Sequence, residues 1–138
     1  MIKVFALRLK PNTDLKASLK NFVNLNNIKA GYIITTVGSL KQATIRFANQ
    51  TNSQVFNEKF EIVSLSGTLA ASGIHVHMAI ADQQGKVIGG HLDYGCIIYT
   101  TAEIVIGESL DFVLIRNVDQ ATGFKELEIS PTDTLNES

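Results

Sequence analysis

Apolar and polar residues alternate over residues 2–9, where Lys3 and Arg8 interleave with hydrophobic positions. A period of two suits a strand with one covered face, and Pro11-Asn12 stops it. The period then lengthens. Leu15, Leu19, Phe22 and Val23 recur at helical spacing and make one apolar stripe. Thr13 or Asp14 can cap its first turn, and Asn26-Asn27 marks its exit. This is the one strong helical signal in the chain.

From Gly31 onward the β-branched and aromatic content rises. Residues 32–37 and 43–47 read as two strands joined by a turn at Gly38-Ser39, with a polar loop over 49–53. Residues 60–69 read as a longer strand whose alternation changes phase at Ile62-Val63, which predicts a β-bulge. Residues 74–81 and 86–92 flank Asp82-Gln83-Gln84-Gly85, a polar loop ending in the residue best able to take positive φ, and so predict a hairpin. Residues 97–106, 112–116 and 124–129 supply three more strands. One helix among many short strands predicts an α+β domain built on a mostly antiparallel central sheet. A single domain over residues 1–130 would then be followed by a polar tail, 131–138, expected to fray.

Composition narrows the class. Of the 138 residues, 45% are hydrophobic, enough to exclude a disordered chain. A domain of this length buries roughly two-thirds of its unfolded surface and needs neither disulfide nor metal simply to fold. Basic residues number 12 against 13 acidic and are spread along the sequence without a stripe or tail, so nucleic acid has little to hold. The single cysteine, Cys96, cannot form an internal disulfide and reads as a packed thiol. The first residues read as a strand rather than a signal peptide, and no apolar run reaches the roughly 18 residues a membrane helix needs. These features predict a cytoplasmic protein with no membrane partner.

The candidate chemistry lies in the predicted hairpin. His75 and His77 are two apart, so on a strand their side chains leave the same face with Cα atoms roughly 7 Å apart. A three-residue loop, Gln83-Gln84-Gly85, leaves Asp82 opposite Lys86 and places His91 directly across from His77. A two-residue loop would send His91 to the other face. Three neutral imidazoles with an open fourth position suit a zinc ion; histidines hydrogen-bonded for structure, or binding an anion, are the competing reading. Gly89-Gly90 either removes side chains where a ligand approaches or permits a second bulge. Asp93 and Glu103 are the nearest acidic residues that a metal-dependent reaction could use as a base. No phosphate-binding glycine loop, Ser-His-Asp signature or cysteine pair is present, and nothing specifies a substrate.

The segments Phe60-Glu61-Ile62-Val63-Ser64-Leu65-Ser66-Gly67, Gly73-Ile74-His75-Val76-His77 and Gly89-Gly90-His91-Leu92 resemble the PPC domain family of plant and prokaryotic proteins. The likeness runs from Leu7-Arg8-Leu9 through Thr36-Val37-Gly38-Ser39-Leu40 to Glu103. It implies a PPC-like α+β fold assembled as a homotrimer, with the histidines near the subunit contacts. It also implies that His75, His77 and His91 are the positions on which some relatives carry zinc. Glu103 matches an acidic position that would be a further ligand, an outer partner of the metal site or a solvated strand charge. Gly73, Gly89 and Gly90 would let a ligand approach. Plant members join the domain to AT-hooks, basic arms that enter the minor groove, and no Arg-Gly-Arg-Pro arm occurs here. The resemblance therefore implies a binding and assembly module with DNA or protein partners, and as the alternative a zinc-dependent enzyme or small-molecule sensor.

Overall fold

A computed structural model describes residues 1–132, so most of the expected polar tail, 133–138, lies outside the described residues. The first strand, β1 (Ile2–Leu9), is followed by the helix α1 (Leu15–Leu25). Asp14 caps the helix by accepting from the Ala17 N–H at 2.9 Å, and its other carboxylate oxygen accepts from Gly95 N–H at 2.7 Å, tying the cap to the far side of the chain. Leu15, Leu19 and Val23 are buried on the sheet, and Phe22 meets Phe5 edge-on with ring centroids 5.6 Å apart. Each such side chain contributes about 1.5–3 kcal/mol by leaving water.

The remaining elements are β2 (Gly31–Arg46), β3 (Gln54–Phe56), β4 (Phe60–Ala70), β5 (Gly73–Ala81), β6 (Val87–Leu92), β7 (Ile97–Ser109), β8 (Phe112–Val118) and β9 (Lys125–Pro131). The main sheet has the order β1-β7-β2-β4-β5-β6, with β3 on β2, and every pair is antiparallel. Strand β2 carries the architecture. Its far end also pairs with β6, Ile45 opposite Leu92 and Arg46 opposite His91, which closes β2, β4, β5 and β6 into a ring. Strands β8 and β9 form a separate two-stranded sheet. Among the described residues, no helix is long and apolar enough to cross a membrane.

The expected turn at Gly38-Ser39 is not there: residues 31–46 are one strand. A Cβ on Gly38 would lie 2.3 Å from the Thr101 carbonyl oxygen and 2.7 Å from Ala102 Cα, so this glycine lets β7 come close. The strand bends instead through register shifts against β7 at Ile33/Thr35, Gly38/Leu40 and Leu40/Gln42. The phase change at Ile62-Val63 is a bulge, as expected, with the β5 register shifting between Ile62 and Ser64.

Candidate functional site

The loop between β5 and β6 decides whether the histidines meet. Gly85 adopts φ 80° and its N–H donates to the Asp82 carbonyl at 3.0 Å, while Asp82 N–H donates to Lys86 O at 2.9 Å. Asp82 Oδ1 also accepts from Gln84 and Lys86 N–H, both at 2.9 Å, which holds the loop at three residues. The register that follows puts His77 directly opposite His91. Side chains directly opposite one another share a face, so the row Arg46, His91, His77 and Ser66 runs across β2, β6, β5 and β4 on one side of the ring. His75 stands two residues further along β5, opposite Thr68.

The three imidazoles converge. Ring centroids are 4.9 Å apart for His75 and His77, 5.5 Å for His75 and His91, and 5.9 Å for His77 and His91. One nitrogen from each lies within 4.8 Å of the other two. Three points so spaced have a common centre no more than about 2.8 Å from each, and Zn–N bonds of 2.0–2.1 Å would require them to close by roughly 0.7 Å. Side-chain rotation covers that distance. His91 Nδ1 is buried and has no hydrogen-bond partner. An unpaired buried nitrogen costs about 1–3 kcal/mol, and coordinating a cation is one way of meeting that cost. The donor set fits zinc or another first-row metal that favours imidazole.

Burial and nearby positive charge favour the neutral form of His75 and His91. Burial is the main cause that lowers His91 to about 4, and the positive charges of Arg46 and Lys16 add to it. His75 is also lowered, first by burial and then by Arg116 and His77, with Glu126 pulling the other way. A neutral imidazole is the form that binds a metal.

Beside the histidines lies an open cavity of about 840 Å³. His75 and His91 line it together with Lys16, Lys20, Arg46, Arg116 and Lys125, and among the described residues Glu126 is the one carboxylate in the lining. The dispersed basic residues of the sequence are therefore not dispersed in space: five of the twelve meet here. They come from α1, β2, β8 and β9, and no local spacing joins them. Sequence reasoning missed them for that reason.

The other candidate residues lie elsewhere. Glu103 is exposed on β7 opposite Arg8 and Val37, and it is not part of the histidine group. Asp93 accepts from Ser53 Oγ at 2.6 Å and from Tyr94 N–H at 2.7 Å, and the Ser53 hydrogen bond is the main cause that lowers its carboxyl below the usual range. Gly89 and Gly90 hold strands close together: a Cβ on them would lie 2.6 Å from Met78 O and 2.5 Å from Arg46 O. Gly73 does face the cavity, 3.3 Å from the Arg116 side chain by the same measure. Cys96 is buried, donates to Thr44 O at 3.3 Å, and burial pushes its thiol up to about 11.

A curled antiparallel sheet presenting three converging imidazoles defines a class of histidine-bearing α+β domains. The chain belongs to the Plants and Prokaryotes Conserved (PCC) domain family, which matches residues 1–110 and is the family the histidine motifs resemble. It is 48% identical over 128 residues to the bifunctional protein GlmU of Synechococcus sp. strain JA-3-3Ab. The match takes in 93% of this chain and 21% of that protein, so the chain spans about a fifth of the curated relative's length. Among solved structures, a hypothetical protein of Salmonella enterica superimposes with a TM-score of 0.93 at 37% identity, covering 95% of both chains. A metal-containing protein of Archaeoglobus fulgidus does so with a TM-score of 0.78 at 26% identity, covering 90% of this chain and 91% of that one.

Proposed function

We propose that His75, His77 and His91 bind a zinc ion whose fourth position takes a small ligand from the adjoining cavity, and that the protein is a metal-dependent ligand-binding or sensing module. The observation that carries this reading is the convergence of three imidazole nitrogens within 4.8 Å, with two of the three rings, His75 and His91, lining that cavity. The metal-containing relative from Archaeoglobus fulgidus supports it. Bound zinc would polarise a ligand oxygen or nitrogen. Binding is favoured over hydrolysis because the Asp93 carboxylate is engaged by Ser53 and Glu103 stands across the sheet, so neither is placed as a general base. Elemental analysis of protein purified without an affinity tag tests the site. Stoichiometric zinc, lost in His75→Ala and His91→Ala, is the expected result; protein that cannot take up zinc overturns it.

We also propose the homotrimer implied by the family. The sheet leaves Val4, Val37, Val63 and Tyr99 exposed, and burying such strand surface is what subunit association achieves. Light scattering on a sizing column should return three chains per particle. Association with DNA is the second reading, favoured by the gathering of five cations on one side of the fold. Failure of the protein to hold a DNA duplex even at low ionic strength removes it.

A further inference from the structure

Among the described residues, the cations around the cavity make no ion pair. The only ion pair among those described residues joins the Met1 amino group to Asp111 at 3.0 Å, and neither residue lines the cavity. Arg46 commits one guanidinium nitrogen to Gln50 O at 3.2 Å. Arg116 commits one to Thr68 Oγ1 at 2.9 Å and another to Lys125 O at 3.5 Å. A guanidinium has five N–H donors in a fork that matches an oxyanion, so both arginines are held in place with donors to spare. Lys20 donates to Tyr94 Oη at 2.8 Å and Lys16 stands 4.7 Å from the centre of the same ring, which positions both ammonium groups without neutralising either.

The two arginines flank the histidines from opposite sides. Arg46 is opposite His91 across β2 and β6. Arg116 reaches over from β8 to bond Thr68, the residue opposite His75. Phe124 and Ile74 add apolar surface to the same cavity. Arg116, Phe124 and Lys125 all lie beyond residues 1–110, the span that the family match covers. Strands β8 and β9 thus close a wall that the histidine motif does not specify.

We propose that this cavity binds a small metabolite bearing a phosphoryl or dicarboxylate group, with the oxyanion held between Arg46 and Arg116 and the rest of the molecule directed at His75 and His91. Five cations against one carboxylate favour a dianion over a monoanion. A single compact group shared between two forked donors suits a small ligand better than the extended phosphate backbone of a duplex. This inference deepens the metal-site reading and rests on it for the direction in which the ligand points. The oxyanion contacts themselves do not need the metal.

Calorimetric titration of the EDTA-treated protein and of the zinc-loaded protein with inorganic phosphate and with malonate tests it. The expected result is saturable binding of at least one anion to both forms, weakened about tenfold or more by Arg46→Met and by Arg116→Met. Whichever anion binds more tightly identifies the ligand class. Lys10→Met, outside the cavity, should leave the affinity unchanged. Arg46→Met is the decisive variant should Arg116→Met loosen β8, because Arg46 lies in the main sheet. Anion binding that persists without zinc uptake would remove the metal reading and sustain this one. Anion affinity indifferent to both arginines, absence of binding by either form, or tighter binding of a DNA duplex that the same substitutions abolish, would overturn it.

Discussion

Two hairpins border the cavity and they are built on opposite terms. The β5–β6 hairpin is woven into the ring: β5 pairs with β4, β6 pairs with β2, and Val76, Met78, Ile80 and Leu92 are buried beneath the histidines. The β8–β9 hairpin pairs only with itself, and its side chains are mostly exposed. It is tied down by a few polar contacts, such as Leu114 N–H to Lys29 O at 2.9 Å and Arg116 to Thr68 at 2.9 Å. An isolated two-stranded hairpin is marginally stable in water. The proposed metal ligands therefore sit on strands paired into the main sheet on both sides, whereas half of the charged wall facing them sits on a hairpin outside that sheet.

Removing a metal ligand from the β5–β6 hairpin should have the largest effect. His91→Ala should lower zinc affinity by at least about 100-fold, because two imidazoles hold the ion far less tightly than three, and competition with a chromogenic chelator would measure this. Arg116→Met should leave zinc affinity unchanged or slightly raised, since it removes a nearby positive charge. A comparable loss of zinc in both variants would erase the distinction between the hairpins.

Gly90→Ala tests how tightly the ring is closed. The added methyl would lie 2.5 Å from Arg46 O and 2.8 Å from Ile45 Cγ2, so denaturant unfolding should show a loss of roughly 2–3 kcal/mol. Gly123→Ala, in the β8–β9 turn, meets open space but must hold φ 75°, and should cost about 1–2 kcal/mol, confined to that hairpin. Equal effects at the two positions would mean that the ring is looser than its contacts imply.

A smaller effect follows from the half-buried imidazole of His91. His91 is lowered to about 4 in the folded protein, against an ordinary value of 6.5. Between those values the unfolded chain binds a proton that the folded chain refuses, so stability rises with pH and is lost as pH falls from 6.5 toward 4. After allowance for partial solvent screening, the metal-free protein should lose about 1–2 kcal/mol across that window. His91→Gln should remove this part of the pH dependence. A profile unchanged by the substitution would place the titration elsewhere. Smallest of all, Arg116→Met should alter global stability by less than about 1 kcal/mol while amide exchange in β8 and β9 accelerates and that in β5 and β6 does not.

Much of the β5–β6 side was legible in the residues. The alternation of His75 and His77, a loop ending in Gly85 and the count outward from Asp82 were enough to place His91 opposite His77, because strand periodicity and turn geometry are local rules. The helix cap at Asp14 and the bulge at Ile62-Val63 were legible on the same grounds. Gly38 misled, because a glycine that separates two apolar runs looks the same whether it turns the chain or admits a neighbouring backbone. That neighbour is Thr101, 63 positions away.

Most of the elements, the family and the shared face of the three histidines were readable from the residues alone, through interactions between residues near in sequence or through short motifs; the unbroken β2 and the short β3 were not. Packing between distant segments brings β2 to β6 and sets Arg46 beside His91, and lays β8 so that Arg116 bonds Thr68, the residue opposite His75. Basic residues drawn from a helix and three strands carry no common period. Their convergence depends on how the sheet curls and where its last hairpin docks, which is a property of packing and not of any stretch of chain.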